Sequence, residues 1–548
     1  MKPIVDDALS QKTEREVVEV LVHMKRLLRV RNRLCSPLLQ LPTETIVRIL
    51  SFIMAGSATY ISVHTWGSID STCHRIYKIM RNATELWWKV DCARAKVAHL
   101  TFVRSKGNPQ VIVSDLGSLD DQRLVKTERI LNSWRVEGRF KGHRLHTLEF
   151  SGSQSTFIHF SWIIERPLPR LERLKLHVID SADEVTDEDE VESTVLLELP
   201  VGMPLQVLDL RNVILPWSSQ SQLFNGLREL HLDFGDCDPA VTIPEDELFG
   251  IFDASPQLER LSLVWVGHEV PLRNGQPIPP KRVLQLPNLV SLKLDNSPLV
   301  VKYTLEYMDL PAIASLEICS FVSLDTARTL KNSFFPNDRI PTRLFPSPPT
   351  FAVRSAGEEE LAPSIELDIG SIKLQLDFPF GQGERGRDIV MSCISQLVPP
   401  SVTTLKLEYT KLDEQGWRDF FTSHPQVRSI ECSEFCNMPV SKSLWGGLSS
   451  PGEGDTDVPC PRLESILLTS FVNDVLFTPL SDCLRNRQTA GFKLGLLKFI
   501  DYHRFMSDVD GFREEFGPLV EIVDTGKHKP GSLAQKVRLV SMRELGVY

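Results

Sequence analysis

Leu289-Val290-Ser291-Leu292-Lys293-Leu294-Asp295-Asn296 carries the pattern that decides the fold: an apolar residue, two others, Leu or Ile, one other, then an apolar residue. The last two apolar positions are two apart, so in an extended segment both point to one face. The first marks the turn into that segment. The same spacing precedes it at Leu145/Leu148/Phe150, Leu171/Leu174/Leu176, Leu205/Leu208/Leu210, Leu227/Leu230/Leu232 and Leu258/Leu261/Leu263. It follows at Ile313/Leu316/Ile318, Val402/Leu405/Leu407, Val427/Ile430/Cys432, Leu463/Ile466/Leu468 and Leu494/Leu497/Phe499. Neighbouring copies start 26, 34, 22, 31, 31, 24, 89, 25, 36 and 31 residues apart, and the 89-residue gap has room for a degenerate unit around Ser371, Leu374 and Leu376.

Several copies are preceded by a helical pattern, as in Glu247-Leu248-Phe249-Gly250-Ile251-Phe252 before Ser255-Pro256, or Gly416 to Phe421 before His424-Pro425. Helix, turn and strand recurring at this period is the signature of leucine-rich repeats, in which one unit cannot bury its apolar face alone and stacking makes the core. The Asn or Cys that usually follows the strand is mostly missing; Asn212 and Asn296 come closest. Three stretches interrupt the array and read as solvated insertions: acidic 180–192, proline-rich 335–363 and Gly/Pro-rich 446–461.

The array is one part of a 548-residue chain with 42% hydrophobic and 24% charged residues, near the globular average. A net charge of -10 argues against a general nucleic-acid binder. The polar start MKPIVDDALSQKTERE is unlike a signal peptide, and no run of about 18 apolar residues suggests a membrane span. The ten cysteines form no dense framework. The expectation is an intracellular protein with reduced thiols, in cytoplasm or nucleus. The sequon at Asn82-Ala83-Thr84 then reads as chance.

Residues 12–34 predict a helix with Val17, Val20, Met24, Leu27 and Leu34 at heptad-like spacing, broken by Arg31, and with Lys25, Arg26, Arg29, Arg31 and Arg33 giving it a basic side. Two good heptads favour a helix packed on its own protein over a dimer zipper. Pro42 then precedes a helix over Thr43–Met54 with Glu44 in its first turn. A second helical stretch is predicted over 65–80, and a third element holds Leu86, Trp87 and Trp88.

The stretch Leu41-Pro42-Thr43-Glu44-Thr45-Ile46-Val47-Arg48-Ile49-Leu50-Ser51-Phe52-Ile53 resembles the opening of the F-box: Leu-Pro, then Glu, an apolar pair, then Ile-Leu. Downstream, Trp66 to Tyr77 is similar to its middle helix and Leu86-Trp87 to its terminal Leu-Trp. The connection Ala55–Val63 is longer than the family pattern, and Tyr77 is the nearest aromatic where the family often has Trp. A basic-sided helix, an F-box and loose repeats together are similar to mushroom-type fungal F-box proteins.

The resemblance implies an α/β protein with a small all-helical F-box head followed by an irregular leucine-rich-repeat solenoid. Its parts would be an N-terminal helix over 1–36, the F-box over 37–100, a connecting segment over 101–140, the solenoid over 141–505 and a cap or tail over 506–548. It implies a non-enzymatic substrate adaptor of a ubiquitin ligase. The head would dock a Skp-family adaptor, and through it cullin and RING subunits, by Leu41, Pro42, Ile46, Ile49, Leu50, Ile76 and Trp87. The repeats would bind a protein substrate. No cofactor or metal is implied.

Other readings stay open. The apolar stripe Leu41, Ile46, Ile49, Leu50 and Ile53 is also open to reading as an internal core, which would leave a repeat scaffold with no link to ubiquitin. Gly381-Gln382-Gly383-Glu384-Arg385-Gly386 has the spacing of a dinucleotide-binding turn, with Glu408 downstream. Against that enzyme reading, Pro379-Phe380 separates the strand from the first glycine, and the strand alternates with Lys373, Gln375 and Asp377. His424, Cys432, Cys436 and Cys460 lack a CxxC pair, and Cys432 occupies a strand position of the core.

Overall fold

The computed structural model describes residues 3–56, 74–117, 119, 121–138, 140–179, 195–200, 202–217, 223–235, 243–266, 272–273, 276–277, 282–322, 350–356, 364–369, 371–377, 402–408, 414–433, 438–449, 458–469, 477–500 and 514–524. The chain divides into two compact units, residues 1–230 with 234–238 and residues 231–233 with 239–548.

The first unit opens with helices α1 (Pro3–Cys35), α2 (Pro37–Gln40), α3 (Thr43–Gly56) and α4 (His74–Asn82) and a 3-10 turn, Thr84–Trp87. α1 begins earlier than the predicted 12–34, at Pro3, a residue suited to the first helical turn. Then come β1 (Lys89–Asp91), α5 (Ala95–Arg104), β2 (Val111–Asp115), α6 (Asp121–Val136), β3 (Thr147–Gly152), α7 (Gln154–Ser161), β4 (Arg173–Val178) and β5 (Val207–Arg211). Each of these strands pairs parallel with the next. The register lines up Val90, Ile112, Leu148, Leu174 and Leu208 in one buried column. Burying a Leu or Ile side chain contributes roughly 1.5–3 kcal/mol, so such columns hold the sheet on its helices. The opposite face is polar. Glu149, Lys175 and Asp209 are aligned there, with Lys175 Nζ 3.3 Å from Asp209. Over the buried face, Phe102 of α5 stacks on Trp134 of α6 with ring centroids 4.1 Å apart.

The second unit holds α8 (Glu245–Ala254), β6 (Arg260–Val264), β7 (Ser291–Asp295), α9 (Pro298–Tyr307), β8 (Ser315–Phe321), β9 (Thr350–Ala356), β10 (Ser364–Ile369) and β11 (Ile372–Asp377). It continues with β12 (Thr404–Glu408), α10 (Glu414–Ser423), β13 (Ser429–Ser433), α11 (Met438–Leu448), β14 (Ser465–Thr469), α12 (Phe477–Thr489), β15 (Leu494–Ile500) and β16 (Val520–Asp524). β6, β7, β8 and β11 pair parallel in that order, as do β9, β12, β13, β14, β15 and β16. β10 lies antiparallel between β9 and β11. The columns here are Leu261, Leu292, Leu316 and Ile372, then Leu405, Ile430, Ile466 and Leu497.

The expected solenoid is corrected by these pairings. The strands form parallel sheet with helices, an α/β fold, and among the described residues none of it closes into a barrel. Apolar-x-apolar is what any strand needs when one face is buried and the other solvated, so the spacing reports strand alternation and not a stacked identical unit. What lies between the strands is not alike. α7 has 8 residues and α12 has 13, two-residue strand pairs occur at 195–214 and 284–309, and β10 reverses direction. The head expected to be all-helical over 37–100 contains β1, so the sheet starts before residue 100. It also continues beyond 505 in β16.

Within 446–461, Gly446 and Gly447 are helical, not part of a solvated loop. A Cβ on Gly447 would come within 2.5 Å of Trp417 Cβ and 2.9 Å of Arg418 N, so glycine permits the close approach of α11 to α10. Arg487 of α12 is buried and donates to the carbonyls of Leu448 (3.2 Å), Pro459 (2.6 Å) and Cys460 (2.8 Å). The acidic 180–192 stretch lies outside the described residues, as does most of 335–363, of which Thr350–Ala356 forms β9.

The two asparagines nearest the repeat pattern act locally. Asn212 sits after β5 at φ +55° and its Nδ2 donates to Val178 O at 2.9 Å; Asn296 Nδ2 donates to Val266 O at 3.0 Å. Asn212→Ala is expected to lower the stability of its unit by about 1–3 kcal/mol, through an orphaned buried carbonyl and an L side chain at positive φ. Asn212→Gly should cost less, since glycine accepts that backbone. Urea unfolding of the two variants checks the order.

Candidate functional site

The helical head is the part of the chain that the sequence singled out. Pro37 opens α2, whose four residues turn the chain between α1 and α3, and Gln40 Nε2 donates to Leu34 O at 3.2 Å. Pro42 stands before α3, and the Ile46 amide donates to its carbonyl at 3.1 Å. The core of the head consists of Leu39, Ile46, Val47, Leu50, Ile76, Ile79, Met80, Leu86 and Trp87. Trp87 Nε1 donates to Met80 O at 2.6 Å, and the Arg104 guanidinium lies 4.4 Å from the centre of its ring.

Four of the seven residues expected to meet a partner, Ile46, Leu50, Ile76 and Trp87, are therefore core. Leu41 is partly buried against that core, Ile49 is half-buried and Pro42 is exposed. Phe52, three residues beyond Ile49 and so on a neighbouring part of the same helix surface, is 77% exposed. The sequence reading passed over it; its signal was the i, i+3 relation to Ile49 on the side away from Ile46, Val47 and Leu50. Trp66 to Cys73 lies outside the described residues.

Arg75 was also missed. From the first turn of α4 it reaches back to α2 and the residue that follows it, donating to the carbonyl of Leu39 and, at 2.8 Å, to that of Leu41. One guanidinium thus fixes the backbone immediately before Pro42. Beside it runs a groove of about 710 Å³ between α3 and α4. Val47 and Ile79 contribute apolar surface to it, and Glu44, Arg48, Lys78 and Glu85 supply charges of both signs. Partial desolvation, then the positive charges of Arg29 and Lys78, hold the His74 imidazole below its ordinary pKa. The groove thus combines apolar points with charges of both signs.

The competing sites fare differently. Gly381–Gly386 lies outside the described residues, while β11 before it buries Ile372, Leu374 and Leu376 and turns Lys373 outward. Cys432 sits in the column between Leu407 and Leu468, and Cys460 is buried with Sγ 3.6 Å from the carbonyls of Phe421 and His424. Burial pushes both thiols well up, which disfavours the thiolate a metal would need. Among the described residues no group of three His, Cys, Asp or Glu is placed to hold a metal, and no helix is long and apolar enough to cross a membrane.

Fold and site define an α/β protein with a compact helical head bearing a charged-rimmed groove. No family model matches the chain, and no curated protein matches it.

Removing the Arg75 clamp should loosen the head selectively. Arg75→Met is expected to speed hydrogen exchange of the amides of residues 39–50, with a local loss of about 1.5–3 kcal/mol for hydrogen bonds from a charged donor. Amides of β13–β15 should exchange as before. Mass-spectrometric exchange on the full chain reads both regions at once.

Proposed function

We propose that the chain is a substrate-recognition adaptor of a Skp–cullin–F-box type ubiquitin ligase. The head docks a Skp-family adaptor, which joins it to cullin and RING subunits, and the sheet-bearing units bind a protein substrate. Chemistry lies in other subunits, and the chain acts by holding substrate lysines near a charged ubiquitin carrier, which raises effective concentration. The setting is cytoplasm or nucleus.

The observation that carries this reading is the outer surface of α3. The helix that resembles the F-box opening turns Ile46, Val47 and Leu50 inward, yet leaves Pro42 and Phe52 exposed and Ile49 half-buried. A unit this small buries a limited fraction of its apolar surface, and a partner's groove would cover the remainder. Docking is assigned to Pro42, Leu41, Ile49 and Phe52, with the four core residues acting as their support.

The burial of Ile46, Leu50, Ile76 and Trp87 also favours a second reading, a protein-interaction scaffold whose head packs only internally. Direct binding of the full chain to a purified Skp-family adaptor separates the two. Wild type is expected to bind. Ile49→Asp with Phe52→Asp should weaken binding about 30-fold or more, the scale of a 2 kcal/mol hot spot. Ile46→Asp should instead damage the head itself, visible as lost helicity in circular dichroism. Absence of binding by a wild-type chain of intact helicity would discard the ligase reading.

A further inference from the structure

α1 is 33 residues long, and every described side chain from Glu16 to Arg31, with Leu34, is exposed. Among them Val17 is 52% exposed, Val20 63%, Met24 51%, Leu27 57% and Leu34 69%. These five share one side of the helix at alternating three- and four-residue steps, flanked by exposed Leu21 and Leu28. A polar position fills the remaining place in the seam, Arg31. No packing within the chain covers this stripe in the described residues.

The charge along the helix is ordered. Residues 3–19 contain five acidic and two basic residues by sequence; residues 20–35 contain five basic and no acidic ones. That order suits the dipole of a single helix, so it is not diagnostic alone. Combined with the stripe, it selects among occupants. A parallel twin would set Arg31 against Arg31 in the apolar seam. A lipid surface would set the five acidic residues of 3–19 against its anionic headgroups. An antiparallel twin centred near residues 25–26 sets Met24 opposite Leu27 and Val17 opposite Leu34. It places Arg31 opposite Val20, within a turn of Glu16 and Glu19 of the second copy.

We propose that α1 is a self-association element that pairs antiparallel with α1 of a second copy, using the Val17–Leu34 stripe as seam and Glu16, Glu19 and Arg31 as the orientation-setting charges. The seam is about 26 Å long, so the pairing is reversible. It puts the two helical heads at opposite ends of the helix pair. The inference stands independently of the ligase reading.

Light scattering or sedimentation of the full chain tests it. Wild type is expected at twice the chain mass, falling to the single mass on dilution. Met24→Lys with Leu27→Lys, both exposed and outside the core of the head, should give the single mass with helicity and thermal unfolding unchanged. Glu16→Lys with Glu19→Lys should be single alone, as should Arg31→Glu. An equimolar mixture of those two chains should recover the double mass, because both ends of an antiparallel pair then carry opposite charges. A wild type of single mass at every concentration overturns the proposal, including one that binds anionic phospholipid vesicles. So does a dimer indifferent to Met24 and Leu27. A dimer that survives Glu16→Lys with Glu19→Lys overturns the antiparallel arrangement.

Discussion

In-register parallel pairing of strands with one apolar face is the constraint from which the sheets of this protein follow. Side chains alternate along a strand, so a shift of one residue would send Leu148, Leu174 and Leu208 to solvent and bring Glu149, Lys175 and Asp209 inside. The penalty for burying those charges is far larger than anything their surface pairing contributes, which is on the order of 0–1 kcal/mol per pair. Register is thereby fixed along each ladder. Parallel neighbours then need long connections, and those connections supply helices such as α5, α6 and α10 to cover the apolar columns.

The head is organised differently. Its core is small, and much of its definition comes from single polar groups that satisfy backbone carbonyls across the chain. Arg75 holds Leu39 and Leu41; Trp87 holds Met80. Because the backbone before Pro42 is fixed in this way, α3 can spend Ile46, Val47 and Leu50 on its own core and still present Pro42, Ile49 and Phe52 at a defined place. An outer face with so few apolar residues is defined by that positioning more than by area.

Much of the fold was legible as strands. Leu292 and Leu294, like Leu405 and Leu407, announced buried faces through a period of two, and the degenerate place at Leu374 and Leu376 is indeed β11. The arrangement of those strands was not legible. A Leu-x-Leu segment looks the same in a stacked repeat and in a parallel sheet, since both ask only that one face be buried. Short β1 and β2 were missed because Val90 is not the Leu or Ile the pattern asks for, and Ser114 is polar where the pattern of β2 would need its last apolar residue. In the head, α3 was readable from Pro42 and its apolar spacing, but the spacing says nothing about what covers the stripe. Arg75 could not be found at all, because its acceptors lie 36 and 34 residues away and are backbone atoms without a residue signature.

Arg487 has a consequence for how the sequence can drift. Its guanidinium holds Leu448 on one side and Pro459 and Cys460 on the other. The two ends of the intervening stretch are thus anchored to α12, whatever length of chain joins them. Closure entropy rises only slowly with loop length, by about 0.6 kcal/mol per doubling. Insertions and deletions between residues 449 and 458 are therefore buffered by one buried cation, and the α11 and β14 geometry on either side is insulated from them.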